Sequence, residues 1–102
     1  MRFGLSDTVV KELQDIFSHH KNIQKVLIFG SRSKGNYRDG SDIDLAVIGK
    51  NIDYNQLLTI LCEIEELDLL YSIDLIDYNK KVGTPIGEHI DRVGQVFYEA
   101  AS

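Results

Sequence analysis

The chain has 102 residues, 43% hydrophobic and 26% charged, with a net charge of −5. That length accommodates one small domain, residues 1–102, with a core of its own, and the composition is that of a globular chain rather than a disordered one. The acidic balance disfavours broad binding to nucleic-acid phosphates or to anionic membranes.

Val9, Val10, Leu13, Ile16 and Phe17 recur at helical spacing, with Ser6 or Asp7 placed to cap the first turn. This helix is expected to stop near His19 and His20. KVLIFG, residues 25–30, is a short apolar run closed by Gly30, the pattern of a buried strand. A polar stretch over 31–41 carries two glycines and three basic residues, Arg32, Lys34 and Arg38. The strand DIDLAVIG follows. Asp53 and Gln56 then form a capping-box pattern ahead of a second helix, whose apolar face is read as Tyr54, Leu57, Leu58, Leu61, Ile64 and Leu67. YSIDLIDY is a third strand. Thr84 and Pro85 predict an N-cap with Pro at the first helical position, opening a short helix through Ile86, Ile90 and Val93 that ends at Gly94. QVFYE adds a short final strand. The order predicts an α/β (α+β) fold, a small mixed sheet with helices packed mainly on one face.

Alternate side chains of a strand share a face. If Ile43, Leu45 and Val47 face the helices, Asp42 and Asp44 point the other way, ~6.5–7 Å apart. Aspartate is a poor strand former and costly to bury, and two bare carboxylates raise each other's pKa. A hard divalent cation such as Mg²⁺ relieves that repulsion. Asp74 joins the pair if Ile73 and Leu75 face the core and the strands are neighbours; Asp77 has the opposite parity. Three carboxylates suit a two-metal site.

Upstream, Gly30 ends a strand and Ser31 opens a turn. Backbone N–H groups at such a place bind phosphate oxygens, and glycine allows close approach. Ser31 adds a hydroxyl, and Arg32, Lys34 and Arg38 add positive charge. Taken singly, a Gly-Ser turn, an Asp-x-Asp and a strand-end aspartate each have an ordinary structural explanation. Their conjunction in this order reads instead as transfer from a nucleoside triphosphate. Other candidates carry less: His19, His20 and His89 are too dispersed for a metal cluster, CEIEELD reads as a solvated helix face, and Tyr37 as a loop aromatic. Gly87 reads as a close-packing position. Cys62 stands alone in sequence among apolar residues, which excludes a disulfide within the chain. The N-terminal segment has no signal-peptide run and no stretch reaches membrane-spanning length, so a soluble, cytoplasmic protein is expected.

GSRSKG followed by SDIDLAV closely resembles the signature of the DNA polymerase β-like nucleotidyltransferase superfamily, Gly-Ser, ten residues, then Asp-x-Asp. SIDLID resembles its third-carboxylate strand, and the length and the ending HIDRVGQVFYE resemble the minimal nucleotidyltransferase (MNT) group. The resemblance implies two Mg²⁺ held by Asp42, Asp44 and Asp74, and ATP with its triphosphate on Gly30 and Ser31, flanked by Arg32 and Lys34. It implies a polymerase β-like fold and adenylyl transfer to a tyrosine hydroxyl of a HEPN-domain partner, a toxin encoded nearby for which the MNT protein is the antitoxin. Many such antitoxins read Gly-Ser-Arg-Ala-Arg-Gly, where this chain has Ser33 and Lys34; lysine keeps the charge and loses the bidentate fork. Two other readings stand beside this one: a binding module that masks a HEPN partner by contact alone, and nucleotidyl transfer to a small molecule or an RNA end.

Overall fold

The computed structural model describes residues 3–30, 32, 35 and 42–101. Its elements are α1 (Asp7–Ser18), β1 (Ile23–Phe29), β2 (Ile43–Gly49), α2 (Tyr54–Glu65), β3 (Ile73–Asp77), a 3₁₀ turn at Tyr78–Lys80, α3 (Pro85–Val93) and β4 (Gln95–Glu99). Each helix starts where its cap chemistry directs. The side chain of Ser6 accepts from the Val9 N–H, that of Asp53 from Gln56, and that of Thr84 from Gly87. Each satisfies one of the donors a helix start leaves unpaired.

The strands form one mixed sheet in the order β3-β2-β1-β4. β1 runs antiparallel to both β2 and β4, whereas β2 and β3 are parallel. A parallel pair needs a crossover connection, which α2 supplies. Ile23, Val26, Ile28, Ile43, Leu45 and Val47 turn one sheet face toward Leu13 and Phe17 of α1 and Ile60 and Ile64 of α2. Each such side chain contributes about 1.5–3 kcal/mol when fully buried.

A smaller cluster lies on the other face, where Ile90 and Val93 of α3 pack with Leu27, Phe29, Ala46 and Ile76. Of α1, α2 and α3, two thus lie on one sheet face and one on the other, in keeping with packing mainly on one face. Gly87 packs against the chain before α3: a Cβ there would strike the carbonyl oxygen of Lys81.

The second helix differs from its predicted face. Ile60, absent from the expected set, is fully buried with Ile64, while Tyr54 and Leu58 are exposed. Leu57 and Leu67 lie partly buried against the core. With apolar residues at so many positions, periodicity alone does not fix which stripe turns inward; the sheet it packs against does. Cys62 accordingly lies exposed on the surface. Among the described residues no helix is long and apolar enough to cross a membrane.

Candidate active site

The parallel register sets Asp44 beside Asp74, with Ile43 beside Ile73 and Leu45 beside Leu75 on either side. Because the isoleucines and leucines face the core, the two carboxylates share the opposite face, as the period of two requires. Asp42, two residues ahead of Asp44, is exposed at the entry to β2. On the other side of β2, Phe29 is the antiparallel partner of Asp44.

Gly30 follows Phe29 with φ +81°. A Cβ at that position would lie 2.5 Å from Oδ2 of Asp44. Only glycine combines this backbone conformation with the absent side chain that leaves room for the carboxylate. The end of β1 therefore lies directly against the Asp44 carboxylate.

Electrostatics tie the three aspartates together. Burial is the largest influence raising the Asp44 carboxyl above its ordinary value of 3.8, followed by the charges of Asp74 and Asp42 and a hydrogen bond with Asp74. A hydrogen bond between two carboxyl groups requires a proton on one of them. Asp44 is half-buried, whereas Asp42 and Asp74 are exposed. Among the described residues no group of three or more histidine, cysteine, aspartate or glutamate side chains is arranged so that it could by itself hold a metal ion. The aspartates are an open array of mutually repelling oxygen donors. That donor set fits a hard cation such as Mg²⁺, which takes one or two carboxylates and completes its shell with water and substrate phosphate.

Of the residues expected to bind the nucleotide, Ser31 and Lys34 lie outside the described residues, as do Tyr37 and Arg38. Arg32 is described, and its guanidinium has partners within the chain. The residue is only 2% exposed, Nη1 donates to the carbonyl of Phe3 at 2.7 Å, and the guanidinium carbon lies 4.9 Å from the centre of the Tyr71 ring. These partners anchor the segment after Gly30 to the N-terminal segment and to the chain entering β3. Tyr71 was not among the expected site residues, since one aromatic before a strand carries no sequence signal for such a contact.

Asp77 is buried, and its carboxylate accepts from the Asn79 N–H at 3.1 Å, capping the 3₁₀ turn away from the array. Two of the histidines also have partners in the fold. His20 pairs with Glu63 at 2.7 Å and meets Gln56. His89 sets its ring edge-on to Phe29, with centres 6.5 Å apart.

The fold recurs in known proteins. A family model described as polymerase beta, nucleotidyltransferase, matches residues 11–102. The Methanocaldococcus jannaschii protein MJ0604, whose name assigns it provisionally as a protein adenylyltransferase, is 29% identical over 83 residues, covering 74% of this chain and 79% of that protein. Three solved structures share the fold. A chain of a toxin–antitoxin crystal structure with AMP-PNP superposes with a TM-score of 0.70 at 22% identity, over 94% of this chain and 75% of its own. A chain of the MntA–HepT toxin–antitoxin structure gives 0.68 at 17% identity, over 93% and 74%. One from the Shewanella oneidensis complex of a tri-AMPylated HEPN toxin with its MNT antitoxin gives 0.60 at 22% identity, over 92% and 69%. With the family model spanning nearly the whole chain, and the fold and the paired strands in agreement with it, the chain belongs to the polymerase β nucleotidyltransferase family and is a transferase.

Proposed function

We propose that the chain transfers AMP from ATP to a tyrosine hydroxyl of a HEPN-type partner protein encoded nearby, and that it acts in this way as the antitoxin of a pair. The observation that carries the proposal is the register of Asp44 with Asp74, with Gly30 pressed against the first of them. The structural relatives favour the partner class, because the matching chains come from toxin–antitoxin complexes, one of them with an AMPylated HEPN toxin.

In this reading Asp42, Asp44 and Asp74 would hold two Mg²⁺, which would supply positive charge to offset the negative charge that develops during the transfer. Gly30 and Ser31 receive the triphosphate at the end of β1, with Lys34 adding a cation. Arg32 contributes by fixing the position of that segment. The acceptor oxygen bonds to the α-phosphorus, the bond from the α-phosphorus to the bridging oxygen breaks, and pyrophosphate leaves. Asp74, the exposed member of the pair, would help take the hydroxyl proton in this reading.

The test incubates the protein with α-phosphate-labelled ATP, Mg²⁺ and the neighbour-encoded protein, beside the Asp42→Asn/Asp44→Asn variant. Label is expected on the partner with the wild-type chain, at a level about 10²-fold or more above the variant, the scale on which loss of a charge-stabilising group slows such a step. An unlabelled partner in a complex that demonstrably forms would replace this reading with masking by contact, or with another acceptor such as a small molecule or RNA end.

A further inference from the structure

The orientation of α2 leaves apolar surface without a covering element. Tyr54 and Leu58 face outward, and Leu70, between α2 and β3, is 95% exposed. Beside Leu70, between the last turns of α2 and the entry to β3, is a cleft of about 510 Å³. Leu61, Leu69, Tyr71 and Ile73 give it an apolar lining, to which Glu65 and Asp68 add two carboxylates. Its wall is held by the Leu67 N–H on the Ile64 carbonyl and the Asp68 N–H on the Glu65 carbonyl. Among the described residues neither Glu65 nor Asp68 has a cationic partner. A hollow that mixes apolar side chains with polar groups, the Glu65 and Asp68 carboxylates among them, complements an apolar side chain flanked by positive charge.

Position relates the cleft to the aspartates. β3 is an edge strand, and Ile73, which lines the cleft, immediately precedes Asp74. The two side chains leave opposite faces of the same strand end. The ring of Tyr71 lines the cleft and also carries the Arg32 guanidinium. A segment seated in the cleft can round the free edge of β3 and reach the carboxylate face. That path is about 10 Å, the thickness of a packed layer, or about three to four extended residues.

We propose that this cleft seats the protein acceptor by an apolar residue flanked by Lys or Arg, three to four residues in sequence from the hydroxyl that receives AMP. The inference rests on the reading that the acceptor is a protein, and it adds how that acceptor is chosen. Electrostatic attraction to Glu65 and Asp68 makes the docking sensitive to salt, and Leu70 packs on the seated segment.

The experiment uses fluorescein-labelled peptides with a single tyrosine: Arg-Leu-Lys-Gly-Ser-Tyr, a Gln-Leu-Gln-Gly-Ser-Tyr control and an Arg-Gly-Lys-Gly-Ser-Tyr control. Fluorescence anisotropy reads binding, and α-phosphate-labelled ATP reads transfer. The proteins are the wild-type chain, Glu65→Gln/Asp68→Asn and Leu70→Asp, each checked for a native melting transition; Asn at 68 tolerates that residue's φ of +54°. The first peptide is expected to bind about tenfold more tightly than either control, equivalent to about 1.4 kcal/mol. Both variants are expected to lose that advantage while the KM for ATP is unchanged. Equal binding of the three peptides, or variants that bind like wild type, would overturn the proposal. So would a dimer dissociated by Leu70→Asp, which would make a second copy the occupant. Cleft-dependent binding without AMP transfer would leave the docking site standing and count against the adenylyl-transfer reading instead.

Discussion

Asp44 shows how a residue can serve a site at the expense of the free protein. Burial, its two aspartate neighbours and the hydrogen bond to Asp74 raise its carboxyl above 3.8. The folded chain therefore holds this proton more tightly than the unfolded chain does. Stability falls as pH rises from the unfolded value through the raised folded one, and stays lower above both. Asp44→Asn keeps the shape and removes the charge, so in EDTA at pH 7 its melting temperature should exceed that of wild type by a few degrees, a modest gain because solvent screens the array. Well below the ordinary value of 3.8, where the wild-type carboxyl is protonated in both states, the two curves should converge. A calorimetric pH series checks this; a variant that melts lower than wild type at pH 7 would mean that the Asp44 charge is already compensated. The aspartates were legible in the sequence because period-two alternation alone puts both residues of an Asp-x-Asp on one face. The fit of Gly30 against Asp44 was not, since it depends on how β1 ends beside β2 in space. Nor was the inward turn of Arg32, because its partners, the Phe3 carbonyl and Tyr71, are remote in sequence.

At the scale of elements, local chemistry spoke most clearly at helix starts. Ser6, Asp53 and Thr84 cap the helices they precede, and Pro85 occupies the first turn of α3. The capping box at α2 forms only on one side: Asp53 accepts from the Gln56 N–H, but the Gln56 side chain turns to Asn22 and His20. Tertiary partners there outcompete a local bond, as they do in selecting Ile60 over Tyr54 for the core. The expected packing role of Gly87 is visible in the structure, where α3 sits against the Lys81 carbonyl. Gly87→Ala improves intrinsic helix propensity by about 1 kcal/mol, yet sets a methyl group into that oxygen. Overpacking costs about 1–3 kcal/mol and should win, because the obstacle is backbone and does not swing aside. Urea denaturation is expected to show net destabilisation of about 1–2 kcal/mol. Increased stability would mean that α3 shifts on the sheet at little cost.

For the whole molecule, the sheet order β3-β2-β1-β4 explains why the candidate site lies at one end. The antiparallel turn-back from β1 brings Gly30 to the entry of β2, and the parallel crossover through α2 brings Asp74 to the same level. Three aspartates thus meet at one sheet end of a chain that already carries a net charge of −5. Such an array should bind Mg²⁺ to the folded state far better than to the unfolded chain, where the carboxylates are dispersed. At about ten times its Kd the ion would then add about 1.4 kcal/mol of stability, or roughly 5 °C or more in a domain of this size. The increment should shrink as pH falls into the range where Asp44 holds its proton, since ion and proton compete for the same oxygens. Asp42→Asn/Asp44→Asn should begin more stable in EDTA and gain almost nothing from Mg²⁺. Thermal melts of both proteins with and without the ion would separate the two effects. Equal Mg²⁺-induced shifts in wild type and variant would mean that the ion acts elsewhere on this acidic surface, whereas a shift confined to wild type would tie the stability of the fold to the same carboxylates proposed to bind the ion during transfer.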